Sequence, residues 1–99
     1  MTNPLIEELN EEFPNLKWEE AMTCVVANNL PLVKVALYNP FRGVYTCKVR
    51  VMVEGYDGGL CISASQNMNP FQAVTLALNL ADEVLADYRA DIREAKERK

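Results

Sequence analysis

The side chains in this sequence that could do chemistry are carboxylates, cations and thiols, because its 99 residues include no histidine. That absence removes the commonest general base and the commonest metal ligand at once. The three cysteines, Cys24, Cys47 and Cys61, form no C-x-x-C pair, and their odd number fits neither a disulfide framework nor a zinc site. We therefore expect reduced structural thiols, no metal, no cofactor and no catalytic residue, so the chain is predicted not to be an enzyme.

The carboxylates are concentrated at the start of the chain. Residues 1–20 carry six glutamates against one lysine, a net charge of −5, whereas residues 21–81 carry four basic against two acidic residues, a net charge of +2. Such an acidic region is either a solubility feature or a match for a basic partner, and it repels nucleic acid. The predicted protein-binding residues are Glu7, Glu8, Glu11, Glu12, Glu19 and Glu20.

Three cations stand out in the middle of the chain, Lys34, Lys48 and Arg50. They alternate with apolar residues in strand-like runs, which predicts that they share one face of a sheet, beside Thr46. This face is either a solvated surface with charges that protect sheet edges or a surface that binds anions or nucleic acid. No aromatic residues for base stacking are interleaved with these cations in the sequence.

A helix is predicted at each end of the chain, and the first of them carries the glutamates of residues 7–12. In the first, NPLIEELNEEF, Asn3 is a good N-cap and Pro4 suits the first helical position. In the second, Asn69 is the N-cap and Gln72, three residues later, completes a capping-box pattern.

The apolar stripe of the second helix is broad, which predicts that the helix lies against a sheet. Val74 and Leu78 lie on the stripe, and Leu76 and Leu80 widen it. The end of the chain, residues 87–99, is highly charged and is predicted to be a solvated helical end or a tail.

Three strand signals lie between the helices, at residues 32–38, 44–53 and 60–65, joined by connectors rich in Pro, Asn, Asp and Gly. The third signal places Leu60, Ile62 and Ala64 on the face that points toward the core, opposite Cys61, Ser63 and Ser65. Residues 17–29 are ambiguous. Their apolar spacing favours a short helix or an irregular segment, with a strand as the alternative.

These elements predict one α+β domain over residues 1–99. The expected architecture is a two-layer sandwich in the order α-β-β-β-α, with a three-stranded antiparallel meander packed on a long C-terminal helix and a short N-terminal helix. The expected core between the sheet and the long helix consists of Val49, Val51, Ile62, Phe71, Val74, Leu78 and Leu85.

The order of elements over residues 4–88 resembles the double-stranded RNA-binding domain, with PLIEELNEEF in the place of that family's first helix and NPFQAVTLALNLADEVL in the place of its second. The family's phosphate-gripping lysine cluster at the start of the second helix is replaced here by Asn67, Met68, Asn69 and Gln72. Its Gly-Pro-x-His loop has no counterpart in NPFRG. The resemblance therefore implies the fold without the RNA binding.

A second likeness, in size, acidic charge and layout, is to small phage accessory proteins such as the phage α-β sandwich domain and some anti-CRISPR proteins. It implies a non-catalytic protein-binding module that inhibits a host nucleic-acid-processing machine. The expected partner is a host protein, for example a basic nucleic-acid-binding protein, and the chain is expected to be a monomer or homodimer in the cytoplasm. No apolar run approaches the roughly 18–20 residues that span a bilayer. The alternative function is nucleic-acid binding through Lys34, Lys48 and Arg50.

Overall fold

The computed structural model describes residues 3–41, 43–53, 55, 59–82 and 94–96. Within these residues a helix precedes and a helix follows a run of five strands, so the protein belongs to the α+β class. The elements are α1 (Pro4–Glu12), β1 (Trp18–Glu20), β2 (Val25–Ala27), β3 (Val33–Phe41), β4 (Val44–Val51), β5 (Leu60–Asn67) and α2 (Pro70–Asp82).

The five strands form one antiparallel sheet in the order β1-β2-β3-β4-β5. The predicted three-stranded meander is therefore only the β3–β5 part of a larger sheet, and the predicted strand number was wrong. Each strand pairs with its neighbours in the chain, so short connections are sufficient to build the whole sheet.

The missing strands lie in residues 17–29, where a short helix or irregular segment was preferred. This segment forms β1 and β2 instead, which pair as a hairpin. A helix with the predicted spacing would have buried Met22, yet Met22 lies fully exposed in the turn while Trp18 and Val25 are buried. Strands of three residues are too short to display a period of two, so their apolar residues imitated helical spacing by chance.

Both helices begin where the capping residues predict. The side chain of Asn3 accepts the Leu5 N–H at 2.9 Å, and Asn69 Oδ1 accepts two N–H groups of the first turn of α2 at 2.9 and 3.2 Å. The reciprocal bond predicted for Gln72 is made by another residue, because the Asn69 N–H donates to Asn67 Oδ1 at 2.9 Å. The start of α2 is thus fully explained by capping.

The core lies between one face of the sheet and the two helices. Four of the predicted core residues are fully buried, namely Val49, Val51, Val74 and Leu78. Ile62 and Phe71 are partly buried against this core, and Leu85 lies outside the described residues. The core also includes residues that the prediction left out, namely Leu9, Phe13, Leu16, Trp18, Val33, Val35, Leu37, Cys47, Ala73, Ala77 and Ala81.

Strand β5 does not present the face that its sequence predicts. Val49 pairs with Ser63 and the next β4 residue pairs with Cys61, so Ile62 is an extra residue in the ladder. An extra residue of this kind reverses the alternation of the side chains that follow it. Ala64 is consequently exposed, although it was predicted to point inward.

Two inward-facing residues of β5 are serines that bind the backbone of α2. Ser63 Oγ donates to the carbonyl of Ala77 at 2.7 Å, and Ser65 Oγ donates to the carbonyl of Ala73. The small alanines let the helix approach the strand closely enough for these bonds. They fix α2 above β5 at a defined position along the strand.

Part of the charged end of the chain packs against the body of the protein. Of the predicted tail 87–99, the structure describes residues 94–96, and the rest lies outside the described residues. Ala95 is fully buried, and Lys96 Nζ lies 3.2 Å from Asp82 Oδ2 at the end of α2. A wholly solvated tail does not fit this burial.

Candidate functional site

The face of the sheet that points away from both helices is not covered by either helix of the described chain. It is formed by the residues of β3 and β4 that alternate with the buried ones, and these side chains are half-buried. We call this surface the cationic sheet face and define it by Lys34, Ala36, Tyr38, Thr46, Lys48 and Arg50.

The strand register brings the three cations together. Lys34 lies directly opposite Arg50, and Lys48 is on the same strand as Arg50, two residues away. In these pairings the Cβ atoms of neighbouring residues are about 5–8 Å apart. This separation is within the Debye length of about 8 Å at physiological salt. Among the described residues, none of the three forms a salt bridge with a carboxylate. Their positive potentials therefore add over the middle of the sheet.

Tyr38 is the aromatic residue of the cationic sheet face. The Lys48 ammonium lies 5.4 Å from the centroid of its ring, a cation–π contact across diagonal positions of β3 and β4. Partial burial, and then the neighbouring Cys24 thiol, raises the pKa of Tyr38 above its ordinary value. The ring stays neutral at physiological pH, and one of its faces is occupied by Lys48. Sequence reasoning missed this contact because it depends on strand register.

The six predicted protein-binding glutamates do not converge on one site. The three that are exposed on α1 are Glu7, Glu8 and Glu11. Glu12 is half-buried, and Glu19 and Glu20 alternate along β1, so they point to opposite sides of the sheet. Glu19 shares the side of the cationic sheet face but stands three strands from Lys48, about 14 Å away. At that distance it does not neutralise the cations.

A groove of about 290 Å³ lies beside the β1–β2 turn, lined by residues of α1, β1, β2, β3 and β4. Among the described residues that line the groove, Glu20 is the only carboxylate, whereas acid–base catalysis by paired carboxylates needs two that face each other. No group of three or more metal-binding side chains occurs among the residues that the structure describes.

The three thiols are free and occupy different environments. Cys47 is fully buried, and burial, followed by the charge of Cys61, raises its pKa to about 12. Cys24 is half-buried. Cys61 is exposed on β5. It pairs with Arg50, whose side chain points away from the core, so Cys61 lies on that outer side of the sheet.

No family model, curated protein or solved structure matches this chain. The five-stranded sheet also departs from the three strands on which the resemblance to the double-stranded RNA-binding domain rested. No helix in the described part of the chain is long and apolar enough to cross a bilayer.

Proposed function

We propose that this protein is a non-catalytic protein-binding module whose binding surface is the cationic sheet face. The observation that carries the proposal is the grouping of Lys34, Lys48 and Arg50 on a face that neither described helix covers. Regular strands hold the backbone beneath these charges in place, so little backbone freedom is lost on binding.

The partner that this surface fits best is an acidic protein segment. Carboxylates form short, charge-assisted hydrogen bonds with lysine and arginine, and arginine is enriched at protein interfaces. Ala36 lies directly opposite Lys48 on β3, and the exposed Ala64 lies directly opposite Lys48 on β5. These small side chains leave room for a partner's backbone to approach the charged groups.

The acidic helix α1 is a second candidate surface, for a basic partner. Its support is charge alone, because Glu7, Glu8 and Glu11 are exposed and lie on one short helix. A surface of this kind accelerates association with a basic protein and makes the rate sensitive to salt. Inhibition of a host nucleic-acid-processing protein would act through this helix, and it remains a prediction.

Nucleic-acid binding by the cationic sheet face is the alternative function. Two observations weigh against it. The Lys48 ammonium occupies one face of Tyr38, so a base can stack there only by displacing it. Three cations also neutralise few phosphates, and the net charge of −4 opposes approach to a polyanion.

A capture experiment with matched variants tests the proposal. The wild-type protein and a Lys34→Gln, Lys48→Gln, Arg50→Gln variant are used to capture proteins from a lysate, and each captured protein is then titrated in purified form. We expect the triple variant to bind its partner at least about tenfold more weakly, a change of about 1.4 kcal/mol. The control, Glu7→Gln, Glu8→Gln, Glu11→Gln, alters the same number of charges and should bind as the wild type does.

The outcome separates the three hypotheses. Loss of binding only in the glutamate variant would transfer the function to α1 and contradict the proposal. Binding of RNA or DNA oligonucleotides, with an affinity that falls steeply as salt rises and is lost in the triple variant, would support the nucleic-acid alternative. Equal binding by all three proteins would exclude both charged surfaces.

A further inference from the structure

The two edges of the sheet differ in length and in charge. Edge strand β1 has three residues, of which Glu19 and Glu20 are charged, whereas edge strand β5 has eight residues and no charge. Short length and charge are the usual protections of an edge against pairing with another strand. Moreover, residues 58–81 form a stretch of 24 residues without a charge, although 24% of the whole chain is charged.

In the part of the chain that the structure describes, no strand pairs with the edge of β5 that faces away from β4, and we call it the free edge; its backbone groups can pair with another strand. The Met52 N–H donates to the opposite Leu32 carbonyl at 2.9 Å, so the even-numbered residues of β4 bond to β3 and the odd-numbered ones bond to β5. In the register of β4 with β5, this alternation directs the N–H and C=O groups of Ala64 and Gln66 away from β4.

An exposed apolar flank of α2 lies beside this edge. Leu76 and Leu80 were predicted to widen the buried stripe, but they are 41% and 49% exposed. On a helix with 3.6 residues per turn, they lie on the opposite side of Ala77 from Leu78, which is fully buried in the interior. Because Ser63 holds Ala77 above β5, Leu76 and Leu80 point outward over the free edge.

We propose that β5 and the Leu76–Leu80 flank of α2 form the interface of a homodimer. Antiparallel pairing of β5 with its own copy about a twofold axis joins the two sheets into one of ten strands. It also places the two α2 helices side by side on the same face, with Leu76 and Leu80 of each copy between them. Such an interface is self-complementary, as twofold symmetry requires.

The spacing of the layers agrees with this arrangement. Helix α2 packs about equally on β4 and β5, so its axis lies above the boundary between these strands, about 2.4 Å inside β5. Pairing of β5 with its copy at about 4.8 Å would separate the two α2 axes by about 10 Å, which is within reach of the 8–10 Å seen for packed helices. The strand pair and the helix pair can therefore form together.

A second copy suits this surface better than a charged partner does. Each copy carries a net charge of −4, but β5 and the outward flank of α2 contribute no charged side chain, so these described residues bring no like charges into contact. Eight strand residues span about 27 Å, and the strand and helix layers together are about 20 Å deep. The projected area of this face is therefore roughly 540 Å², close to the lower bound of about 600 Å² per partner for stable interfaces. The projection does not include the additional area of side chains that extend from the face.

Light scattering coupled to size-exclusion chromatography tests the homodimer. The wild-type protein should elute at twice the mass of the 11.2 kDa chain, and a Leu76→Lys, Leu80→Lys variant should shift to the mass of one chain. Both leucines are exposed, so the variant should keep the wild-type circular dichroism spectrum. The control Met22→Lys changes a fully exposed apolar residue at the opposite edge and should remain a dimer.

A second variant tests the strand pair independently. Ala64→Pro removes an N–H group that points to the free edge and removes no bond between β4 and β5, so it should also yield single chains. The light-scattering mass of the wild-type protein should be measured at several protein concentrations. A wild-type protein that has the mass of one chain at all of them would overturn the proposal. A dimer that survives in both the lysine variant and a folded Ala64→Pro variant would overturn it too, because the interface would then lie elsewhere.

Discussion

The two faces of the sheet are made by alternate residues of the same strands, yet they differ in how well their side chains suit one another. The inner face of β3 and β4 carries a block of six buried apolar residues, namely Val33, Val35, Leu37, Cys47, Val49 and Val51. The outer face places Lys34 directly opposite Arg50. Like charges at directly opposed positions destabilise a sheet, whereas β-branched or oppositely charged pairs stabilise it.

This difference indicates which face is shaped by stability alone. Burial of these six side chains favours the folded state, since apolar burial is the dominant stabilising term. The outer face keeps an unfavourable pair at the centre of the sheet, where threonine or a carboxylate would be more stable. Departures from the most stable choice are concentrated at functional sites, which is why the cationic sheet face carries our proposal.

The largest expected effect comes from the contact between α2 and the inner face. Replacing the fully buried Leu78 by alanine should lower the free energy of unfolding by about 2–5 kcal/mol, because the removed side chain leaves a cavity. The control Leu32→Ala shortens a leucine that is 41% exposed and should cost less than about 1 kcal/mol. Urea denaturation of both variants measures the difference, and equal losses would show that the interior side of α2 is wrongly assigned.

Much of the inner face could be predicted from the sequence, because long elements display their period. Strands β3 and β4 have nine and eight residues, which is long enough for alternation to identify Val49 and Val51 as core residues. Helices α1 and α2 were located by Asn3 and Asn69, whose side chains cap the N–H groups of the first turn. Local chemistry was sufficient in these places.

The remaining features depend on contacts that a single segment does not contain. The strands β1 and β2 have three residues each and show no period. The bulge at Ile62 appears only when β5 is aligned with β4, and it decides which side chains of β5 face α2. Leu76 and Leu80 look like core residues along the helix, and only the position of α2 at the edge of the sheet leaves them exposed.

The pH dependence of stability tests the inner face through one thiol. Burial raises the pKa of Cys47 to about 12, whereas the same thiol in the unfolded chain titrates near 9.0. Between these values the unfolded state has lost the proton and the folded state retains it. The contribution of the protonated Cys47 thiol to the free energy of unfolding is complete below pH 9. It is lost as the pH rises toward 12, at about 1.4 kcal/mol per pH unit.

Replacing Cys47 by valine removes this titrating group and should flatten the fall in stability between pH 9 and pH 11. The control Cys61→Val removes an exposed thiol and should leave the slope as it is in the wild-type protein. Urea denaturation at a series of pH values measures each slope. Identical slopes for the wild type and the Cys47→Val variant would mean that the Cys47 thiol ionises in the folded state as readily as in the unfolded state.

The smallest expected effect concerns the outer face and the pair of Lys34 and Arg50. Arg50→Gln removes one of two opposed positive charges while keeping much of the aliphatic stem, so it should raise the free energy of unfolding by about 0.2–1 kcal/mol at low salt. The gain should shrink at high salt, where the repulsion is screened. Arg50→Lys keeps the charge and serves as the control.

A double-mutant cycle assigns this gain to the pair itself. In a Lys34→Gln background the substitution Arg50→Gln should give almost no further stabilisation, because the opposing charge is already gone. If Arg50→Gln raises the free energy of unfolding by the same amount in that background, the effect comes from Arg50 alone. The paired cations would then not lower the stability of the fold. If the coupling is present and the same substitution weakens partner binding, the outer face sacrifices stability for recognition, which the inner face never does.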